Sequence, residues 1–232
     1  VVGDLSFAPV LELLYGVSSV IGDRSLHRNP DVVVGLATRM MHGMREAGMA
    51  AVGKHFPGHG AVVADSHFEL PTDRREYSAM FDDIRVFERM LAAGLPAVMT
   101  AHVVYSALDP MPASFSSWWQ TQELRQRMGF SGAIVSDDLT MKATSAYGDI
   151  EARTDLALQA GTDMVLICND RPAAERAISH LSEWRRPASM TRMARLRGGA
   201  TFDTRNLTGT AEWQAARAAL DSALQRESGP GL

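Results

Sequence analysis

Four times along the chain a helix-patterned stretch ends in glycine and gives way, within a residue or two, to a short apolar run. The junctions are Glu46-Ala47-Gly48-Met49-Ala50-Ala51-Val52, Ala93-Gly94-Leu95-Pro96-Ala97-Val98-Met99, Met128-Gly129-Phe130-Ser131-Gly132-Ala133-Ile134-Val135 and Ala160-Gly161-Thr162-Asp163-Met164-Val165-Leu166-Ile167. Each glycine fits the position just past a helix, where the backbone turns left-handed. The apolar runs are continuous rather than alternating, as in parallel strands covered on both faces. Their uneven spacing suits repeated βα units, not a solenoid. Helix starts agree with this reading: Asn29-Pro30 supplies a cap and a first-turn proline, and Ser116-Ser117 precedes a predicted helix over 118–128. Beyond Trp184 an Arg/Pro/Ser-rich connection leads to an amphipathic helix over 211–225, with Trp213, Ala216, Leu220 and Leu224 at helical spacing.

The ends of the predicted strands decide which parallel sheet this is. The first, in the opening run Val1 to Pro9, leads to Arg24; the second ends at Lys54-His55, the third at His102, the fourth at Ser136-Asp137-Asp138, and the fifth at Cys168-Asn169. Polar groups at successive strand tips mark the active face of a (βα) barrel. An open doubly wound sheet gathers its ligand groups at one switch point, usually with a Gly-rich phosphate turn, and no such turn is present. The fold expected is therefore α/β, of the (β/α)8 TIM-barrel type. About five units are visible where a closed barrel has eight, so the first three βα units are expected to be lacking in this chain. Residues 1–195 are read as a partial (βα) barrel carrying the chemistry, and 196–232 as a C-terminal helical extension packing on it, frayed at its Gly-Pro-Gly end.

The densest chemistry lies in Lys54-His55-Phe56-Pro57-Gly58-His59-Gly60, followed by Asp65-Ser66-His67. So polar a segment, poor in helix formers, is expected to be an exposed loop on the rim of the scaffold. Asp65 and His67, two apart in extended chain, point the same way, so the carboxylate can orient the imidazole as a general acid/base. Asp137, first past an apolar strand, is read as a nucleophile on rigid backbone, with Asp138 or Thr140 capping the next helix. Arg24, Lys54, His55 and His102 are candidate donors to a substrate, and Asn169 is either a donor or a helix cap. A helix-borne zinc pair at His55 and His59 is disfavoured, because Pro57-Gly58 between them forbids a regular helix. Cys168 reads as a small hydrophobe, and the thirteen methionines as core filler.

Composition narrows the partners. A formal net charge of −4 gives no support for nucleic-acid binding, and there is no basic block to suggest a membrane surface. A single cysteine excludes an internal disulfide and suits a reducing, cytoplasmic setting. No apolar run approaches the ~18 residues of a membrane span.

These motifs, with Asp4-Leu5-Ser6-Phe7-Ala8-Pro9 and Ser18-Ser19-Val20-Ile21-Gly22-Asp23-Arg24, resemble the signature of the bacterial β-N-acetylglucosaminidases of glycoside hydrolase family 3. The resemblance spans about residues 2–169. It implies a cytoplasmic enzyme of peptidoglycan recycling that removes non-reducing terminal N-acetylglucosamine from 1,6-anhydro-muropeptides, with retention and without metal or other cofactor. Carried over, Asp137 is the nucleophile, His67 the acid/base and Asp65 its orienting partner; Arg24, Lys54 and His55 hold the sugar, and His59 shapes the loop. Gly58 and Gly60 are expected to let that loop close over the substrate. The family's three opening βα units, with their Gln-Glu-Gly-Gly-Arg segment, are not found. The competing readings are a truncated, inactive or partner-dependent sugar-binding remnant, a glycoside phosphorylase and a metal-dependent barrel hydrolase.

Overall fold

The computed structural model describes residues 4–18, 20–63, 66, 69–199 and 204–227. Asp65, His67, the first three residues, Ser19, the Leu224 side chain and the Gly-Pro-Gly end lie outside the described residues.

Five strands form one parallel sheet: β1 (Leu5–Ser6), β2 (Ala50–Phe56), β4 (Ala97–Thr100), β6 (Ala133–Asp138) and β7 (Met164–Leu166). Two more, β3 (Thr72–Asp73) and β5 (Val104–Tyr105), pair beside it. The order β1-β2-β4-β6-β7 follows the sequence without reversal. A doubly wound sheet reverses at its switch point; a barrel does not. The sheet is therefore barrel-type, and among the described residues β1 and β7 each pair along one edge only.

The predicted helices form, and one more, over Pro187–Ala194, forms inside the stretch read as an irregular connection. Asn29 caps α1 (Pro30–Glu46) by accepting from the Asp31 N–H, with Pro30 in the first turn. Asp149 caps α3 (Ile150–Ala160) and Asp170 caps α4 (Arg171–His180), while α2 spans Phe81–Ala92 and α5 Pro187–Ala194. Gly48, Gly94, Gly129 and Gly161 all take positive φ at the helix-to-strand turns. Trp118–Arg127 departs from expectation in its winding, which is π-helical and turns Gln120 and Glu123 inward with Trp119 and Leu124. The last helix, α6 (Ala211–Glu227), is exposed throughout 211–223. No helix among the described residues is long and apolar enough to cross a membrane.

Strand alternation divides the core in two. Ala51, Val98 and Ile134 point outward into the larger cluster, where Phe56, Phe87, Trp119 and Tyr105 stack edge to face. Burying each such ring contributes about 2–3 kcal/mol. Val52, Ala97, Met99, Ala133 and Val135 point inward, and Leu196 packs against them. Lys54 and Asp137 continue the inward series of β2 and β6, and the pairing slips between Gly53 and Phe56 and between Val135 and Asp138. Such irregularities re-aim side chains, and both fall at the rim where the polar residues stand.

The run 54–60 corrects the expectation of an exposed loop. Lys54, His55 and Phe56 belong to β2, and residues 55–60 are all buried. Burial is tolerated because several of the polar groups have partners inside: Tyr105 donates to the Gly58 carbonyl, and Glu12 receives His55.

Candidate active site

At the C-terminal rim of the sheet a cavity of about 140 Å³ is lined by Arg24, Lys54, His55, His59, Ser66 and Asp137, among others. Asp137 stands at the tip of β6, its Oδ1 accepting from the Asp138 N–H at 2.8 Å. His55 Nε2 lies 3.7 Å from Asp137 Oδ2. The other face of the same ring is anchored, since Nδ1 donates to Glu12 Oε1 at 2.7 Å, and the His55 backbone N–H reaches that oxygen at 2.6 Å. The bridge between Val10 and Lys54 lays the Glu12 segment along β2 and so brings this carboxylate to the imidazole. Arg24 ends a 3₁₀ turn, Gly22–Arg24, held by Ser18, and its guanidinium is exposed at the cavity mouth.

Charge at the site is set by neighbours. Burial works against ionisation of Asp137, but His55, His102, the Asp138 N–H and Lys54 outweigh it and hold the carboxyl below the usual carboxylate range. Burial lowers the Lys54 pKa, assisted by Arg24 and resisted by Asp137 and Glu12. Burial, then His55, lowers His59, which keeps its ring neutral near pH 7.

Of the residues singled out from the sequence, the structure brings together Arg24, Lys54, His55 and Asp137; Asp65 and His67 lie outside the described residues. Three assignments need correcting. His102 is no donor to a substrate: fully buried, its Nε2 donates to the Asp138 carbonyl and its Nδ1 meets Ser114 Oγ. Asn169 does not cap a helix, since the next residue, Asp170, does so. Asp138 caps none either; its carboxylate accepts from the Thr140 N–H and hydroxyl and from the Cys168 N–H, clamping the β6 turn to the β7 turn.

Glu12 is the functional residue that sequence reasoning missed. Its only signal is a lone carboxylate inside the apolar run Pro9-Val10-Leu11-Glu12-Leu13-Leu14.

The two glycines of the run allow close approach. Gly58 takes φ +136° against Asp83, and a Cβ on Gly60 would collide with the Leu13 carbonyl. Backbone cannot yield as a side-chain tip can, so Gly60→Ala is expected to cost about 2 kcal/mol, lowering Tm by about 4–8 °C in thermal unfolding. An unchanged Tm would mean that Leu13 is not fixed there.

The fold and the site together define a protein of the (βα)-barrel class with its polar groups converging at the C-terminal rim. The chain belongs to glycosyl hydrolase family 3: the model described as "Glycosyl hydrolase family 3 N terminal domain" matches residues 3–196. A beta-hexosaminidase of Thioalkalivibrio sulfidiphilus is 52% identical over 94% of this chain and 63% of its own length. One of Alkalilimnicola ehrlichii is 49% identical over 92% and 62%. Among solved structures, NagZ from Neisseria gonorrhoeae in complex with N-trifluoroacetyl-D-glucosamine superposes with a TM-score of 0.84 at 40% identity, covering 93% of this chain and 63% of that one. A family 3 β-N-acetylglucosaminidase from Paenibacillus gives 0.78 at 31% identity, over 86% and 42%. The chain thus spans under two thirds of the length of the curated relatives it matches.

Proposed function

We propose that this chain supplies the catalytic face of a retaining β-N-acetylhexosaminidase acting on non-reducing terminal N-acetylglucosamine. The observation that carries the reading is Asp137, an ionised carboxyl at the tip of an inward-facing strand, beside the imidazole of His55 and the ammonium of Lys54 in one small cavity. In this reading Asp137 Oδ attacks the anomeric carbon as the glycosidic C–O bond breaks, and His67 protonates the departing oxygen. Water, giving its proton to His67, then attacks the glycosyl-aspartate and releases Asp137. An imidazole thus replaces the carboxylic acid of the usual retaining pair. Asp65 orients His67 and stabilises its imidazolium, as the third member of a triad does. Arg24, Lys54 and His55 hold sugar oxygens by hydrogen bonds. The complex of the gonococcal relative with an N-acylated glucosamine supports an N-acetyl sugar here.

The substrate class proposed is 1,6-anhydro-muropeptides, which places the reaction in cytoplasmic peptidoglycan recycling. We further propose that the sheet supplies five staves of an eight-stranded barrel within residues 1–195, leaving 196–232 as a helical extension. No metal or other cofactor has a part in this mechanism.

The test is covalent. Incubation with a 5-fluoro-N-acetylglucosaminyl fluoride, which slows release of the glycosyl-enzyme, is expected to add one fluorosugar to the peptide containing Asp137, read by mass spectrometry of a digest. Label on Asp138 instead, or on no carboxylate, would remove Asp137 from the role.

A further inference from the structure

In the cavity wall stands a histidine that the proposed chemistry does not use. His59 is 3% exposed, and its ring meets that of His55 edge to face at 6.4 Å. Its Nε2 lies 3.3 Å from Ser66 Oγ, while its Nδ1 is buried with no hydrogen-bond partner among the described residues. Glu12, which anchors His55, likewise keeps a buried oxygen, Oε2, without a partner. Orphaned polar atoms of this kind call for an explanation, because each costs about 1–3 kcal/mol relative to a bonded one. If His59 were present only to fill space, a phenyl ring would do so without that cost.

The other ring nitrogen, Nε2, has Ser66 to hold. Ser66 sits between Asp65 and His67 in sequence, yet it is itself 2% exposed and fixed on two sides. Its hydroxyl meets His59 on the β2 side of the cavity, and its carbonyl accepts from the Ala143 N–H, 3.1 Å away, on the β6 side. One residue of the segment is therefore tied to both walls that carry the other proposed catalytic groups. Burial and the neighbouring His55 lower the His59 pKa, so the ring can hold a hydroxyl without adding to the positive charge of Lys54 and Arg24.

We propose that His59 is a positioning residue, holding Ser66 through Nε2 and thereby constraining the chain on either side of Ser66, which in sequence carries Asp65 and His67. The proposal rests on the assignment of His67 as acid/base. A positioning role of this kind has a signature that general stability lacks. Help to the leaving group matters for a poor leaving group and hardly at all for one that departs unaided.

The variants are His59→Phe, which keeps ring volume, and His59→Gln, whose amide nitrogen can reach the place of Nε2. In the full chain, kcat/KM of His59→Phe is expected to fall about 100-fold for an alkyl N-acetylglucosaminide and less than about 3-fold for the 2,4-dinitrophenyl glycoside. His59→Gln should restore most of the alkyl rate. Equal losses on both substrates, or no loss, would overturn the role. His67→Ala measured alongside separates the two readings. Leaving-group dependence in His67→Ala but not in His59→Phe overturns the positioning role alone, while its absence from both overturns the assignment of His67 with it. Amide hydrogen exchange over 61–69 provides a readout free of turnover. Faster exchange in His59→Phe with wild-type exchange in His59→Gln is expected, and unchanged exchange in His59→Phe counts against the proposal.

Discussion

Asp137→Asn is expected to lower kcat/KM on a chromogenic N-acetylglucosaminide by at least about 10⁴-fold, the scale on which loss of a catalytic nucleophile registers in other enzymes. The substitution is nearly isosteric, and an amide oxygen can still accept from the Asp138 N–H, so the strand tip should keep its shape. What is lost is the anionic oxygen that forms the bond to the anomeric carbon. The pH dependence follows from the same group. The folded pKa of Asp137 lies below the value near 3.9 of a free aspartate. The stability this contributes is therefore fully present above the unfolded pKa and is lost as pH falls through the folded one. Asp137→Asn lacks that contribution, so its stability should fall less steeply than that of the wild type below about pH 4. Circular dichroism across the acid range reads the stability, and initial rates read the activity. A variant retaining a tenth of wild-type activity would end the case for a glycosyl-aspartate and favour attack by the substrate's own acetamido group.

How much of this was legible beforehand depends on whether a feature is local. Gly48, Gly94, Gly129 and Gly161 mark helix ends by a backbone requirement that no other residue meets cheaply, and Asn29-Pro30 marks a start in the same way. Asp137 was readable because an apolar strand ending in a carboxylate is itself a local pattern. The burial of His55 through Gly60 was not, because polarity argues for solvent unless the partners are known, and those partners come from elsewhere in the chain. Glu12 is 43 residues from His55, and Tyr105 is 47 from Gly58. His102 was misread for the same reason: an imidazole at a strand tip looks available until Ser114 and the Asp138 carbonyl are seen to occupy both nitrogens. The π-winding of Trp118–Arg127 follows from tertiary demand too, since Gln120 must reach the Ala113 and Ser114 carbonyls and the Thr162 hydroxyl at once.

Glu12 is where that non-local logic makes its sharpest prediction. Two readings of a buried carboxylate differ in sign for stability. If it were a stabilising element, Glu12→Leu would cost the protein the full value of the pair with His55. But the Glu12 side chain is wholly buried, with Oε2 unpaired among the described residues, so it carries a desolvation cost that leucine does not, and a buried carboxylate held by hydrogen bonds is a weak stabiliser. Against that stands the orphaning of two buried His55 donors, at about 1–3 kcal/mol each. The terms partly cancel, and Tm is expected to fall by no more than about 10 °C. Function should respond more strongly. Freed of Glu12, the His55 ring can rotate away from Asp137 Oδ2, removing a sugar contact and part of what keeps Asp137 ionised. Displacements of about 1 Å at such a site cost about 100-fold in rate, so kcat/KM is expected to drop by at least that factor. Glu12→Gln, whose carbonyl can still accept from both donors, should recover most of it. A Glu12→Leu protein with wild-type kcat/KM would show that His55 is held by the strand alone. A Glu12→Gln protein as impaired as Glu12→Leu would instead place the weight on the negative charge, with the hydrogen bonds secondary.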